Sequence, residues 1–151
     1  MEWLEALVEG DEVFAARFGI PVVDGWARFP EAVPPTLAAV RDHPDQTWGP
    51  HLFLADDGAL VGFGGWKGAP ADGAAELGYA VAPARQGRGI ATAVVRELVA
   101  RGQAAGLSTV VAHTLAEENA STAVLAKVGF THVADVDDPD DGPIWRWERP
   151  L

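Results

Sequence analysis

The chain has 151 residues, 48% of them hydrophobic, enough for one domain with one packed core and too apolar for extensive disorder. Cysteine is absent, which excludes disulfides, thiolate metal sites and cysteine nucleophiles and fits a reducing compartment. The formal net charge of −11 disfavours nucleic acid and anionic membranes as partners; it confers solubility and would also draw in a cationic or amine substrate.

The N-terminus MEWLEALVEGDE is acidic and lacks a basic leader region, so no secretory signal is expected. No apolar run approaches the roughly 20 residues that span a bilayer. These features point to a soluble, cytoplasmic protein.

In chain order, Glu2–Val8 reads as a short helix ended by Gly10, and Glu12–Phe18 as a second. Pro21–Pro35 is broken at Pro21, Pro30 and Pro34-Pro35, which predicts an irregular loop carrying Asp24, Trp26, Phe29 and Glu31. Pro35–Arg41 follows as a helix closed by His43-Pro44-Asp45. A meander comes next. Trp48–Ala55, the turn Asp56-Asp57-Gly58, Ala59–Lys67, the turn Gly68–Gly73 and Ala74–Ala82 give three antiparallel strands.

The meander runs into Val81–Ala91, VAPARQGRGIA, which opens a helix from Gly89 to Ala105. Its apolar rows are Ile90, Val94 and Leu98 beside Ala91, Val95 and Val99, with Gly106 as the stop. Leu107–Thr114 is a strand expected to run parallel to Ala74–Ala82, because a helix separates them. Asn119–Val128 is a shorter helix ended by Gly129. Phe130–Val136 and Ile144–Arg149 are the last strands, joined by Asp135–Asp141, a solvated loop with five aspartates. The fold class is α+β (mixed α/β), in one domain.

A glycine-bearing turn between strand and helix collects backbone N–H groups at a helix start, a geometry that binds phosphates. Arg85 and Arg88 add positive charge, although either could equally be solvated. The absence of Gly-Lys-Ser/Thr excludes a P-loop, and Gly87-x-Gly89 lacks the third glycine of a dinucleotide fingerprint.

Two stretches resemble the GNAT superfamily of acyl-CoA-dependent N-acetyltransferases. Gln86-Gly87-Arg88-Gly89-Ile90-Ala91 matches that family's pyrophosphate loop, Gln/Arg-x-x-Gly-x-Gly/Ala. Val110–Phe130, VVAHTLAEENASTAVLAKVGF, is similar to its later strand, Asn/Ser loop and helix with Lys-x-Gly-Phe, and Glu76-Leu77-Gly78-Tyr79 fits the strand before the loop. The order agrees from about Leu52 to Trp147, while residues 1–50 match weakly and would form the variable acceptor side. The Ser121-bearing helix resembles the subgroup that acetylates ribosomal-protein N-termini. The tyrosine that other members use as proton donor falls here on Leu125.

The resemblance implies a central, mixed, mostly antiparallel sheet of about six to seven strands flanked by helices. It implies acetyl-CoA as donor and a small amine or peptide N-terminus as acceptor, with no metal; it also allows a homodimer. The backbone of Gln86, Gly87, Arg88, Gly89, Ile90 and Ala91 would hold the pyrophosphate, and Arg88 could add a side-chain contact. The backbone of Tyr79, Ala80 and Val81 would hold the pantetheine arm as an added strand. Glu76 is the candidate general base, or a structural or substrate-orienting carboxylate. Ser121 would donate to the departing sulfur or cap its helix, and Asn119 would bond the pantetheine amide or serve as the same cap. His113 and Trp26 are candidates for the acceptor site, with structural packing as the alternative for both; Trp48 is in the same position. Trp66, Trp145 and Trp147 are expected to pack on the sheet, and His43, His51 and His132 lack metal-ligand spacing. A second functional class is open: a non-catalytic CoA-binding or sensing module on the same fold.

Overall fold

A computed structural model describes residues 2–27, 31, 33–42 and 46–151. The expected breaks at Phe29-Pro30 and the closing His43–Asp45 lie outside the described residues. The described residues form five helices, α1 Glu2–Glu9, α2 Asp11–Phe18, α3 Val33–Asp42, α4 Ile90–Ala104 and α5 Ala120–Lys127. They form six strands, β1 Pro50–Leu54, β2 Leu60–Trp66, β3 Ala74–Val81, β4 Thr109–Leu115, β5 Thr131–Asp138 and β6 Gly142–Pro150. The strand order is β1-β2-β3-β4-β6-β5. The β1–β2, β4–β6 and β5–β6 pairs are antiparallel and β3–β4 is parallel, so the α+β, mostly antiparallel architecture expected from the sequence is the one that forms.

The described residues fall into two compact units, one within residues 1–65 and 79–88, the other within 66–78 and 89–151. In the first, α1 to α3 pack Leu4, Leu7, Phe14, Val33, Leu37 and Val40 into a core with Leu60. Asp11 and Glu12 open α2, where the helix dipole favours acidic side chains, and Gly19 ends it in a left-handed cap. The helix α3 starts at Val33, two residues earlier than the proline pair suggests. Its first turn has no intrahelical use for the N–H groups that Pro34 and Pro35 lack. Within the expected irregular loop, Val22 makes a parallel bridge to Leu60, fixed by Val23 N–H to Leu60 O (2.9 Å) and Leu60 N–H to Pro21 O (2.8 Å). The turn at Asp56–Gly58 closes with the Asp57 carboxylate accepting from the Ala59 N–H at 3.1 Å. Gly62 lies where a Cβ would come within 2.4 Å of the Ala80 carbonyl oxygen and 2.7 Å of the Phe53 ring, so this strand position admits no side chain.

In the second unit, α4 buries Thr92, Val95, Leu98, Val99 and Gly102, while Ile90, Ala91 and Val94 stay half-buried. The buried stripe therefore begins one turn later than the apolar rows suggest. Gly106 follows the helix at φ 86, and Leu107 N–H bonds back to Gly102 O at 3.0 Å. The β3–β4 ladder covers Ala74–Glu76 against Thr109–Val111. The β4–β6 ladder runs the whole of β4, from Thr109↔Pro150 to Leu115↔Ile144.

The aspartate loop is shorter than expected. Asp135–Asp138 continue β5 in register with β6, and the Asp138 carboxylate accepts from the Asp140 and Asp141 N–H groups at 2.8 and 2.9 Å to close the turn. Pairing with β6 overrides the low strand preference of aspartate.

Candidate active site

At the last rung of the β3–β4 ladder stands Glu76, in register with Val111. Two residues further along β4, His113 points to the same face, because side chains alternate along a strand. His113 Nδ1 lies 2.8 Å from Glu76 Oε1. Lys67 follows the last residue of β2, and its Nζ donates to the same oxygen at 2.9 Å. Gly78 makes room for the lysine stem, since a Cβ there would stand 2.9 Å from Lys67 Cε. The three side chains are 31% (Glu76), 22% (His113) and 56% (Lys67) exposed.

Burial pushes the Glu76 carboxyl up, but the hydrogen bonds from His113 and Lys67 and their charges outweigh it and hold the group below the ordinary glutamate value of 4.5. Glu76 is therefore a carboxylate at neutral pH. Its favourable contribution to folding is fully present above 4.5 and is lost as pH falls through the depressed native value. Acid titration of thermal unfolding is expected to lower the midpoint of the wild type more steeply below that pH than the midpoint of Glu76→Gln.

Along the segment that leads into α4, Pro83–Arg85 forms a single 3-10 turn, and Gln86 Nε2 donates to Val81 O at 3.1 Å, closing the loop on itself. Arg85 donates to Asp57 Oδ2 at 2.8 Å, so its guanidinium is held by a carboxylate of the β1–β2 turn. Arg88 is exposed. Gly87 and Gly89 adopt φ 75 and 81, where side chains other than glycine are strained, and no atom lies within 4 Å of a Cβ built on either. Gly89 is the N-cap of α4 and supplies no side-chain cap to the first N–H groups of the helix.

At α5, the sequence offered two residues for the N-cap, and it is Asn119. Its Oδ1 accepts from the Thr122 N–H at 3.1 Å, and Thr122 Oγ1 accepts from the Asn119 N–H at 2.9 Å. Ser121 is the second residue of the helix and half-buried. The cap engages the Asn119 oxygen and not its amide nitrogen. Tyr79 and Ala80 are half-buried and Val81 is buried at the end of β3. Trp26 is only 5% exposed; it donates from Nε1 to Asp11 at 3.0 Å and meets Phe63 edge-on. That burial favours its packing role over the acceptor-site role. Glu76 and His113 are thus brought together, while Lys67 is the residue sequence reasoning missed. It sits opposite Glu76 across the Gly68–Gly73 turn, and Lys67 N–H bonds to Glu76 O at 2.9 Å. A turn of residues 68–73 would by itself set Lys67 opposite Ala74, two residues short of Glu76, so turn length gave no signal for the pair. Among the described residues, no group of three or more histidine, aspartate or glutamate side chains could hold a metal ion.

A family model described as "Acetyltransferase (GNAT) domain" matches residues 4–131. The chain belongs to this family. The GNAT chain is also 44% identical over 101 residues to a mycothiol acetyltransferase from Nocardia farcinica; the match covers 67% of this chain and 29% of that relative. Among solved structures, a ribosomal-protein-S5-alanine acetyltransferase from Vibrio fischeri superposes with a TM-score of 0.66 at 18% identity, over 80% of this chain and 72% of that one. A GNAT-family acetyltransferase from Bordetella pertussis gives 0.64 at 25% identity, over 80% and 76%. The reaction class of the family is acetyl transfer. Leu125, on which the resemblance puts the tyrosine of other members, is 0% exposed.

Proposed function

We propose that this GNAT chain transfers an acetyl group from acetyl-CoA to a primary amine by direct attack on the thioester. The observation that carries the reading is the Gln86–Ala91 loop, with two left-handed glycines, open space at each, and a helix start without a side-chain cap. Its backbone N–H groups would bind the pyrophosphate, with Arg88 in reach of phosphate oxygens. Tyr79, Ala80 and Val81 would receive the pantetheine arm beyond the end of the β3–β4 ladder, and the Asn119 amide nitrogen would hold one of its carbonyls. Glu76 would serve the loss of the amine proton, either as the base itself or as the carboxylate that orients the group that takes it. Ser121 would donate to the departing thiolate; a thiol of pKa about 8.5 leaves readily enough that one weak donor suffices. Positioning then supplies much of the rate.

Both compact units belong, on this reading, to one acetyltransferase domain, because the family match runs from residue 4 to 131. Residues 1–50 would face the acceptor and residues 51–151 the donor. The acceptor is a small amine or a peptide N-terminus, and the net charge of −11 favours a cationic one. The partial match to a mycothiol acetyltransferase makes acceptors of that enzyme the first to try. We place the protein in the cytoplasm; no described helix is long and apolar enough to cross a membrane. The burial of Leu125 favours a second reading, a CoA-binding module without turnover. Thiol release from acetyl-CoA over a broad amine panel, beside calorimetric binding, separates the two. Turnover on any amine supports the enzyme, and binding with no turnover supports the sensor.

A further inference from the structure

We propose that His113 is the group that takes the proton from the attacking amine, and that Glu76 is the residue that positions it. This rests on the acetyl-transfer reading above and assigns its proton path. Glu76 meets both of its partners through one oxygen, Oε1, at 2.8 Å from His113 Nδ1 and 2.9 Å from Lys67 Nζ. An ionised carboxylate only accepts hydrogen bonds, so the imidazole proton is on Nδ1 and the lone pair on Nε2. His113 Nε2 has no partner among the described residues, and the side chain is 22% exposed. The pair is therefore built in the sense that a histidine base requires: a carboxylate behind, an unengaged nitrogen in front.

Glu76 by itself is poorly suited to the task. Two donors share its Oε1, and both stabilise its charged form, which makes the carboxylate a weaker base. A proton acceptor works best when its pKa lies near the operating pH, and a carboxylate held below its ordinary value lies far from it. Lys67 helps keep Glu76 ionised, so the carboxylate presents only acceptors to His113 Nδ1. The other charged groups facing His113 are Arg146, its register partner on β6, with Glu148 on the same strand, and Asp138 at the end of β5. Arg146 is ion-paired to Glu148 at 3.0 Å. The Asp138 carboxyl is held low first by the Asp141 and Asp140 N–H groups and then by the charges of His113 and Lys67.

In the step itself, the amine nitrogen forms a bond to the thioester carbonyl carbon and loses one proton to His113 Nε2. The C–S bond breaks with its electron pair leaving on sulfur. The imidazolium then gives its proton to solvent or to the thiolate, and neutral His113 is restored.

The test combines kinetics with imidazole nitrogen NMR. For wild type, His113→Gln should lower kcat/KM by about 100- to 10,000-fold and remove the acid limb of the pH profile. Glu76→Ala should lower it less, by roughly tenfold, below the about 100-fold or more that a base itself contributes, while keeping an acid limb. The neutral imidazole of His113 should carry its proton on Nδ1 in wild type and shift toward Nε2–H in Glu76→Ala. A wild-type His113 protonated on Nε2 overturns the proposal whatever the activity. A His113→Gln enzyme with near wild-type kcat/KM and an intact acid limb overturns it while leaving acetyl transfer standing, and returns the base role to Glu76 if Glu76→Ala alone removes the limb. A wild type inert on every amine overturns the functional reading and this proposal with it.

Discussion

Gly89→Val is expected to abolish acetyl-CoA binding while the protein still unfolds cooperatively. Gly89 sits at φ 81 as the N-cap of α4, and a valine there is forced either into a strained left-handed conformation or into a reshaped loop. Either outcome misdirects the N–H groups that precede and open the helix. Each lost bond to a phosphate oxygen is worth about 1.5–3 kcal/mol, so losing two weakens binding by roughly 100-fold or more. A Cβ at Gly89 meets no protein atom within 4 Å, which removes steric collision with the fold as the cause. Calorimetric titration with acetyl-CoA reads the effect, and a thermal melt of the same sample separates it from unfolding. Binding of the variant within threefold of wild type would remove the loop from the donor site. Arg88→Ala serves as the contrast: an exposed arginine contributes charge alone, and its loss is expected to weaken binding by about tenfold and less at high salt.

How far the sequence could be read follows from the range of the forces involved. The loop Gln86–Ala91 and the helices on either side of Leu107–Thr114 were legible because glycine chemistry and apolar spacing are local. The parallel β3–β4 pairing was legible because a helix crossover leaves one sensible direction. What the sequence obscured depends on partners distant along the chain. The Asp135–Asp138 segment reads as a solvated loop until β6 supplies its hydrogen bonds. Arg85 reads as a phosphate contact or a solvated charge, and nothing near it announces that Asp57, 28 residues earlier, pairs with its guanidinium. Trp26 reads as a residue of an irregular loop until Asp11 and Phe63 enclose it. The candidate site divides in the same way. Glu76 and His113 were each singled out, 37 residues apart, but nothing local announces that one holds the other, or that Lys67 shares the same carboxylate oxygen.

Trp147→Ala should lower stability by about 3–5 kcal/mol, the usual range for deleting a buried indole. Trp147 is 8% exposed, stands in register with Ala112 on β4, and lies 6.3 Å from the ring of Trp145 and 5.5 Å from that of His132. Its Nε1 donates to Thr114 Oγ1 at 3.0 Å, a bond from β6 to β4 in the buried layer. Trp147→Phe keeps most of the apolar contact and loses only that bond. Thr114 Oγ1 still donates to Leu115 O at 3.0 Å, so the expected loss is about 1 kcal/mol, that of one hydrogen bond. Urea unfolding of the two variants separates packing from hydrogen bonding, and equal losses would show that packing around the indole is not what holds this layer. The functional consequence runs through the strand. Ala112 and Thr114 flank His113 and face the layer that Trp147 fills, so they set the height at which His113 meets Glu76. Trp147→Ala leaves a void beneath them, and under folding conditions its kcat/KM should fall well below that of Trp147→Phe, with a weakened Nδ1–H preference at His113. A pair only 2.8 Å apart tolerates little displacement, since a hydrogen bond is lost within about half an ångström beyond its usual range. An unchanged tautomer in Trp147→Ala would mean that the β3–β4 rung at Glu76↔Val111, and not the β6 support, fixes the geometry of the pair.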